Sequence, residues 1–193
     1  RAALKPGLYR VSIHAVLPAP KTRASEATSA PAPSTASQTV ETGFVVRDEA
    51  LLTSGPKLTV SKDWLRKNGQ VFPVVGTTYM ASDAHRKFLF EPNPHVWDAD
   101  FAAMEKRGIN FVRTGLWTAW SRIMLDAGDV DEAALSALEA YVQVAARHGI
   151  VVCFNFFAFL PPAYGGDNPY LDPRSLAGQR AFVTAFARRF RGN

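Results

Sequence analysis

One arginine stands in the middle of an apolar run that is predicted to form a strand. Arg113 lies between Phe111-Val112 and Thr114. Burying an unpaired charge costs several kcal/mol, so this guanidinium needs a carboxylate partner. Two explanations stay open: the partner completes a structural ion pair, or the guanidinium holds an active-site carboxylate. Arg113 is therefore our candidate for a supporting residue of a functional site.

Aromatic side chains are concentrated at the ends of predicted strands and in the loops that follow them. Flat aromatic faces can stack on the C–H faces of sugar rings, and an amide can bind hydroxyl groups. The alternative is that these rings pack the rim of the fold and that the amide is a satisfied core group. The predicted substrate-binding residues are Tyr79, Trp117, Trp120, Asn155 and Phe157.

The remaining reactive residue types show no catalytic or metal-binding pattern. Loop carboxylates are expected to be solvated or to cap helices, as for Asp129 and Asp172. His85 and His95 lie ten residues apart, which is not a recognised metal-ligand spacing. Cys153 is mid-strand and is expected to be a buried small residue. We therefore predict neither a metal nor a cofactor.

Composition excludes several classes of protein. The 193 residues are 47% apolar and 20% charged, enough to bury a core. No apolar run reaches the ~18 residues of a membrane span, and one cysteine excludes a disulfide framework. The net charge of +5 falls entirely in residues 1–72, and the remainder is neutral. We therefore predict neither a nucleic-acid nor a membrane partner.

The N-terminal part has the pattern of two strands with an insertion. Apolar and polar residues alternate over residues 9–15, which predicts a half-buried strand, and residues 40–46 predict a second. Between them, 18 of the 22 residues at 18–39 are Ala, Pro, Ser or Thr, which predicts a disordered insertion. We interpret residues 1–56 as the C-terminal strands of a β-sandwich accessory domain.

Residues 57–193 repeat a strand, a long loop and a helix. A hairpin with Asn68-Gly69 at its turn comes first. Buried strands are then predicted at 73–79, 109–117 and 150–157, and each is followed by a helix. Helical spacing of Trp97, Phe101 and Met104 marks the first of these helices. This pattern predicts an α/β fold with a parallel sheet.

Loop lengths favour a barrel over an open doubly wound sheet. The loops after the strands are long, the links before them are short, and no glycine-rich nucleotide motif follows the first strand. A (β/α)₈ TIM barrel takes ~250 residues, whereas 121 are present from Pro73 onward. We therefore expect the first three βα units of a truncated barrel.

Three segments resemble the opening of clan A glycoside hydrolases, which include a cellulase/mannanase-like family and β-galactosidase-like relatives. They are residues 64–72, 73–79 and 104–113, and the third contains the telling run M-x-x-x-G-I-N-x-V-R. The resemblance covers about residues 58–193. The segment 9–46 is similar to the end of a β-sandwich domain that often precedes such barrels.

The resemblance implies retaining hydrolysis by two glutamates about 5–5.5 Å apart. The family places them after the fourth and seventh strands, so no catalytic residue is expected in this chain. Arg113 matches the second-strand arginine that hydrogen-bonds the nucleophile and keeps it ionised. Asn155 to Phe157 departs from the cellulase-like pattern, which often has a histidine near the end of the third strand.

The predicted function is that of a part of a secreted or periplasmic glycosidase, with a carbohydrate as partner and any signal segment upstream. The 193-residue segment alone is expected to be inactive and poorly folded. Two alternatives stay open. A non-catalytic carbohydrate-binding module would melt sharply and bind sugar by itself. An isomerase or aldolase on a TIM barrel would carry a phosphate-binding loop late in the barrel.

Overall fold

The computed structural model describes residues 3–16, 37–117, 122–158 and 167–193. Along these residues the elements are β1 (Gly7–Val16), β2 (Ser37–Val46), α1 (Glu49–Thr53), β3 (Leu58–Ser61), β4 (Trp64–Lys67), β5 (Gln70–Val71), β6 (Gly76–Thr78), α2 (Pro94–Glu105), β7 (Phe111–Gly115), β8 (Met124–Asp126), β9 (Asp129–Val130), α3 (Glu132–Arg147), β10 (Val151–Asn155) and α4 (Pro173–Arg189). None of the helices in these ranges is long and apolar enough to cross a membrane.

The central sheet is parallel and has the strand order β10-β7-β6. Each of its strands leads to a helix, α2, α3 or α4, so the predicted strand–helix repeat and the mixed α/β fold are confirmed. The first strand, β6, begins at Gly76 and not at residue 73 as expected. Before Gly76, the side chain of Asn110 makes hydrogen bonds to the backbone in place of a neighbouring strand. Asn110 accepts from the Val75 amide at 3.0 Å and donates to the Pro73 carbonyl at 2.9 Å.

The core lies between the sheet and the helices and is dominated by aromatic rings. Trp97 and Phe101 of α2 are fully buried, as their helical spacing predicts. Tyr141 of α3 lies among them, with ring centroids 5.5 Å from Trp97 and 5.3 Å from Phe101. Truncating such a ring costs about 3–5 kcal/mol, so this cluster is what fixes α2 and α3 on the sheet.

Side-chain caps begin both α3 and α4, although one of these caps differs from the prediction. Asp172 accepts from the Arg174 amide at 2.9 Å and caps α4 as predicted. Asp131 caps α3 by accepting from the Ala134 amide at 2.8 Å. Asp129, the expected cap, lies instead in β9, where it pairs with Asp126. The short β8–β9 hairpin occupies the residues that the sequence suggested as the start of the helix.

The predicted Asn-Gly hairpin is present. Asn68 (φ 52°) and Gly69 (φ 81°) both have positive φ, as a two-residue type I′ turn requires. The sequence analysis missed β3, which pairs with β4 from Leu58↔Lys67 to Ser61↔Trp64 and makes this sheet three-stranded. It also missed the short helix α1, which Asp48 caps by accepting from the Leu51 amide.

Strands β1 and β2 form a two-stranded antiparallel unit, here called the β-ribbon, which packs against α2. The pairing was predicted, but β2 begins at Ser37, so residues 37–39 belong to a strand rather than to the insertion. The rest of that insertion, residues 18–36, lies outside the described residues. The division at residue 56 and the β-sandwich domain stay predictions.

The contact between the β-ribbon and α2 requires a glycine at position 43. A Cβ there would lie 2.9 Å from the Tyr9 carbonyl oxygen and 3.1 Å from the His95 amide nitrogen, and both are backbone atoms. We therefore expect Gly43→Ala to destabilise the protein by about 1–2 kcal/mol through overpacking. Thermal unfolding measures this loss against Gln38→Ala, an exposed position on the same strand. Equal melting temperatures for the two variants would contradict the packing described here.

Candidate functional site

The open face of the parallel sheet carries the candidate site. Register pairs Thr78, Arg113 and Cys153 across the three strands, and all three residues are exposed. Val112 and Thr114 alternate with Arg113 and are fully buried on the helix-covered face. The expectation that Arg113 is a buried charge is therefore wrong, because its side chain is on the uncovered face. Cys153, expected to be buried, is exposed for the same reason.

Arg113 and Trp117 meet at the carboxyl end of β7. The guanidinium carbon lies 4.9 Å from the centroid of the Trp117 ring, a cation–π contact. Trp117 is half-buried, and its Nε1 is buried without a hydrogen-bond partner among the described residues. Within the same residues Arg113 forms no ion pair. Two kinds of carboxylate partner were considered for Arg113, one in a structural ion pair and one in an active site. Neither is found among the described residues.

Asn155 reaches the same edge because Gly115 lets two strands approach closely. A Cβ at Gly115 would lie 2.2 Å from the Asn155 carbonyl oxygen, and that oxygen accepts from the Leu116 amide at 3.1 Å. Over the described ranges, the Asn155 side chain makes no hydrogen bond, so nothing there supports a satisfied core amide. Sequence reasoning missed Gly115, although a glycine inside a strand often marks a close backbone approach.

Phe157 lies just beyond β10, in a group of phenylalanines under α4. Its ring centroid is 6.1 Å from that of Phe156 and 6.1 Å from that of Phe182. The ring is half-buried, so it contributes to packing and still has exposed surface. Trp120, the remaining aromatic residue predicted at this edge, lies outside the described residues.

Tyr79 is a core residue, which corrects its predicted substrate-facing position. It is 2% exposed, and its ring centroid lies 5.2 Å from that of Phe101. The hydroxyl donates to Asp100 Oδ2 at 2.8 Å. Burial first, and then the Asp100 carboxylate, raise the pKa of the Tyr79 phenol. The side chain points toward the helices because it follows Thr78, which is on the open face, and successive side chains of an extended chain alternate between faces.

The buried carboxylates hold structural ion pairs and were not singled out from the sequence. Glu139 of α3 accepts from Arg189 Nε at 2.7 Å and lies 3.2 Å from Arg47. Asp98 of α2 accepts from Arg10 at 2.9 Å. The sequence does contain a signal for them: each directly follows an apolar residue, Trp97 or Leu138, that is itself buried on the same helix. In the ranges that the structure covers, no group of three or more His, Cys, Asp or Glu side chains could hold a metal ion.

Three solved structures with similar folds come from bacterial enzymes. The exo-beta-1,4-mannosidase Op5Man5 from Opitutaceae bacterium strain TAV5 matches with a TM-score of 0.53, 21% identity, and coverage of 62% of this chain and 23% of that one. A GH5_18 variant from Bifidobacterium longum subsp. longum ATCC 55813, in complex with Manb1-4GlcNAc, matches with a TM-score of 0.53 and 19% identity. The match covers 62% of this chain and 30% of that one. A GH5_18 variant from Streptomyces cattleya, also in complex with Manb1-4GlcNAc, matches with a TM-score of 0.53 and 20% identity. The match covers 61% of this chain and 30% of that one.

These similarities confirm the predicted fold relationship to clan A glycoside hydrolases. The chain spans 23–30% of the length of these relatives. No protein-family model matches the chain, and no curated protein sequence matches it. What is shared is the fold, and the closed barrel stays a prediction for this chain.

Proposed function

We propose that this chain is part of a retaining glycoside hydrolase that cleaves O-glycosidic bonds of β-linked oligo- or polysaccharides. The observation that carries the proposal is the pairing of Arg113 with Trp117 on an open sheet face at the carboxyl end of β7. Ligands of parallel α/β folds bind at that end of the strands. The solved relatives include an exo-beta-1,4-mannosidase and complexes with Manb1-4GlcNAc, so β-mannosides are the first substrates to test.

In this proposal, two glutamates that we place outside the 193 residues break the glycosidic bond. The residues of this chain support the nucleophile and bind the substrate. In a retaining mechanism one carboxylate attacks the anomeric carbon while the glycosidic C–O bond breaks and the second carboxyl group protonates the leaving oxygen. Water then attacks the glycosyl–enzyme ester, gives its proton to that second group, and releases the first carboxylate. The enzyme thus returns to its starting state.

Arg113 would hold the nucleophilic carboxylate ionised. Its guanidinium carbon lies over the Trp117 ring, and among the described residues its N–H groups have no hydrogen-bond partner, so they can donate to a carboxylate. An adjacent arginine favours the charged form of a carboxylate and lowers its pKa. Trp117 would fix the direction of the guanidinium, because the ring limits its rotation.

Substrate contacts are assigned to Trp117, Trp120, Asn155 and Phe157. The rings would stack on sugar C–H faces, and the amide of Asn155 would bind hydroxyl groups. The Asn155 side chain is free of hydrogen bonds to the described residues, so it can make new ones. Tyr79 is no longer among these residues, because it lies in the core.

Hydrolysis of aryl glycosides by the full natural polypeptide that carries this chain tests the proposal. We expect release of the aryl group from a β-mannoside, at a higher kcat/KM than from the β-glucoside or β-galactoside. Proton NMR within the first minutes should show the β-anomer of the sugar as first product. No release from any β-glycoside, or the α-anomer as first product, would contradict the proposal.

A carbohydrate-binding module is the second candidate. The observation in its favour is that no carboxylate approaches Arg113 among the described residues, while Trp117 and Asn155 line an open surface. Isothermal titration calorimetry with mannobiose distinguishes the two functions. Saturable binding without turnover would support the module, and turnover would exclude it as the sole function.

A further inference from the structure

We propose that His148 is a pH-dependent staple that joins α2, α3 and the β-ribbon, closed while its ring is an imidazolium and weakened when the ring loses a proton. This inference is independent of the proposed function, because it concerns a cluster of charged side chains within the fold and uses none of the residues assigned to the candidate site. The cluster, here called the staple, consists of Arg10, Asp98, Glu105, Arg147 and His148.

The two ring nitrogens of His148 face two different carboxylates. Nε2 lies 3.0 Å from Asp98 Oδ1, and Nδ1 lies 2.8 Å from Glu105 Oε2. A neutral imidazole has one N–H donor and one acceptor, whereas an ionised carboxylate only accepts. Both contacts are hydrogen bonds only when the ring is an imidazolium. The geometry is therefore that of the protonated side chain, which follows the C-terminus of α3.

Asp98 connects this histidine to the β-ribbon. Its Oδ1 accepts from His148, while its Oδ2 accepts from Arg10 of β1 at 2.9 Å. The carboxylate side chain is only 9% exposed, and the next cation, Arg147 Nε, lies 3.9 Å away. One buried carboxylate thus binds α2, on which it lies, to both α3 and β1.

Loss of the His148 proton removes one of the two donors. The neutral ring can donate to Glu105 or to Asp98 but leaves the other carboxylate against a nitrogen lone pair. Imidazole side chains change charge between pH 5 and 8. The contribution of the imidazolium is therefore present only while the ring holds both protons, and it is lost when one of them leaves.

Asp98 sets the acid limit of the staple. Burial alone raises its pKa, but hydrogen bonds from His148 and Arg10 outweigh burial and lower the pKa below its ordinary value. A carboxyl group with a lowered pKa contributes stability that is present above its ordinary pKa and is lost as the pH falls through the lowered one. The staple therefore also requires an ionised Asp98.

A second histidine in the same interface provides a matched control. His95 of α2 lies 3.2 Å from Glu41 of β2, but only through Nε2. Its Nδ1 is buried and has no partner among the described residues. A neutral ring can hold its one N–H at Nε2, so this contact does not require an imidazolium. His95→Gln should lower stability similarly at all pH values, whereas His148→Gln should lower it mainly in acid.

Denaturant unfolding of the full natural polypeptide between pH 5.5 and 8.5 tests the staple. We expect the unfolding equilibrium constant of His148→Gln to exceed that of wild type about tenfold at pH 5.5 and less than about threefold at pH 8.5. Amide exchange of residues 7–16 and 37–46, corrected for the intrinsic rate at each pH, should show the same difference in the β-ribbon.

Glu105→Gln keeps the test decisive if His148→Gln does not fold, because Glu105 is 58% exposed. We expect this variant to lose about half of the wild-type pH dependence on a logarithmic scale, since it removes one of the two carboxylates. Three results would overturn the proposal. The first is that His148→Gln keeps the wild-type pH dependence of the unfolding equilibrium constant. The second is that Glu105→Gln keeps it unchanged, and the third is that His95→Gln loses it.

Discussion

Gly115→Ala is expected to destabilise the protein by about 3 kcal/mol and to lower its melting temperature by about 6–12 °C. A Cβ at this position would lie 2.2 Å from the Asn155 carbonyl oxygen and 2.9 Å from its carbonyl carbon. These are backbone atoms of a paired strand, so relief requires β7 and β10 to separate. The loss should be largest at the edge of the sheet that carries the candidate site.

Gly76→Ala is the matched control for this prediction. Gly76 lies on the other neighbour of β7, and a Cβ there would lie 3.1 Å from the Phe111 carbonyl oxygen and 3.2 Å from a ring carbon. A shift of a few tenths of an ångström relieves such a contact, so we expect about 1 kcal/mol. Thermal and denaturant unfolding measure both variants. Equal losses would show that β7 and β10 do not approach as closely as described.

Arg113→Met is expected to lower kcat/KM for the best β-glycoside by about a hundredfold to a thousandfold. The prediction depends on the proposed function and uses the full natural polypeptide. Without the guanidinium, the pKa of the nucleophilic carboxyl group should rise by about one to three units. The acidic limb of the pH–rate profile should therefore move to higher pH. A loss of stability alone would not move this limb.

Two further substitutions separate charge, geometry and fold in that experiment. Arg113→Lys keeps the positive charge but lacks the planar fork, so we expect an intermediate rate. Arg122→Met removes another exposed arginine with a similar contact, 4.5 Å from the centroid of the Phe90 ring, and should leave kcat/KM unchanged. An Arg113→Met rate within about twofold of wild type, where a lost essential donor costs far more, would contradict the assigned role.

Local features were predictable where neighbouring residues determine the conformation. The Asn68-Gly69 turn, the Asp172 cap and the spacing of Trp97 and Phe101 all follow from short-range geometry. The run G-I-N-x-V-R, which carries the resemblance, also has a physical basis in the fold. Its asparagine, Asn110, ties the segment before β6 to the start of β7 through two side-chain hydrogen bonds.

Predictions failed where a residue's environment depends on which face of an element is covered. Tyr79 was expected at the site because it ends a strand, yet it follows the exposed Thr78 and lies on the opposite, helix-covered face, in the aromatic core. Cys153 and Arg113 were expected to be buried because their strands are apolar, yet they are on the open face. Strand character is visible in a sequence, whereas the covered face depends on where distant helices pack.

From the sequence alone follow the strand–helix repeat of the parallel sheet, the Asn68-Gly69 turn, the Asp172 cap, and the resemblance that led to a fold relationship with glycoside hydrolases. Three contacts became visible only in the folded protein: Arg113 with Trp117, Gly115 with Asn155, and Asp98 with both Arg10 and His148. Periodicity and capping act over a few residues, so one segment reveals them. Contacts between residues far apart in the chain depend on how whole elements pack, and no single segment contains that information.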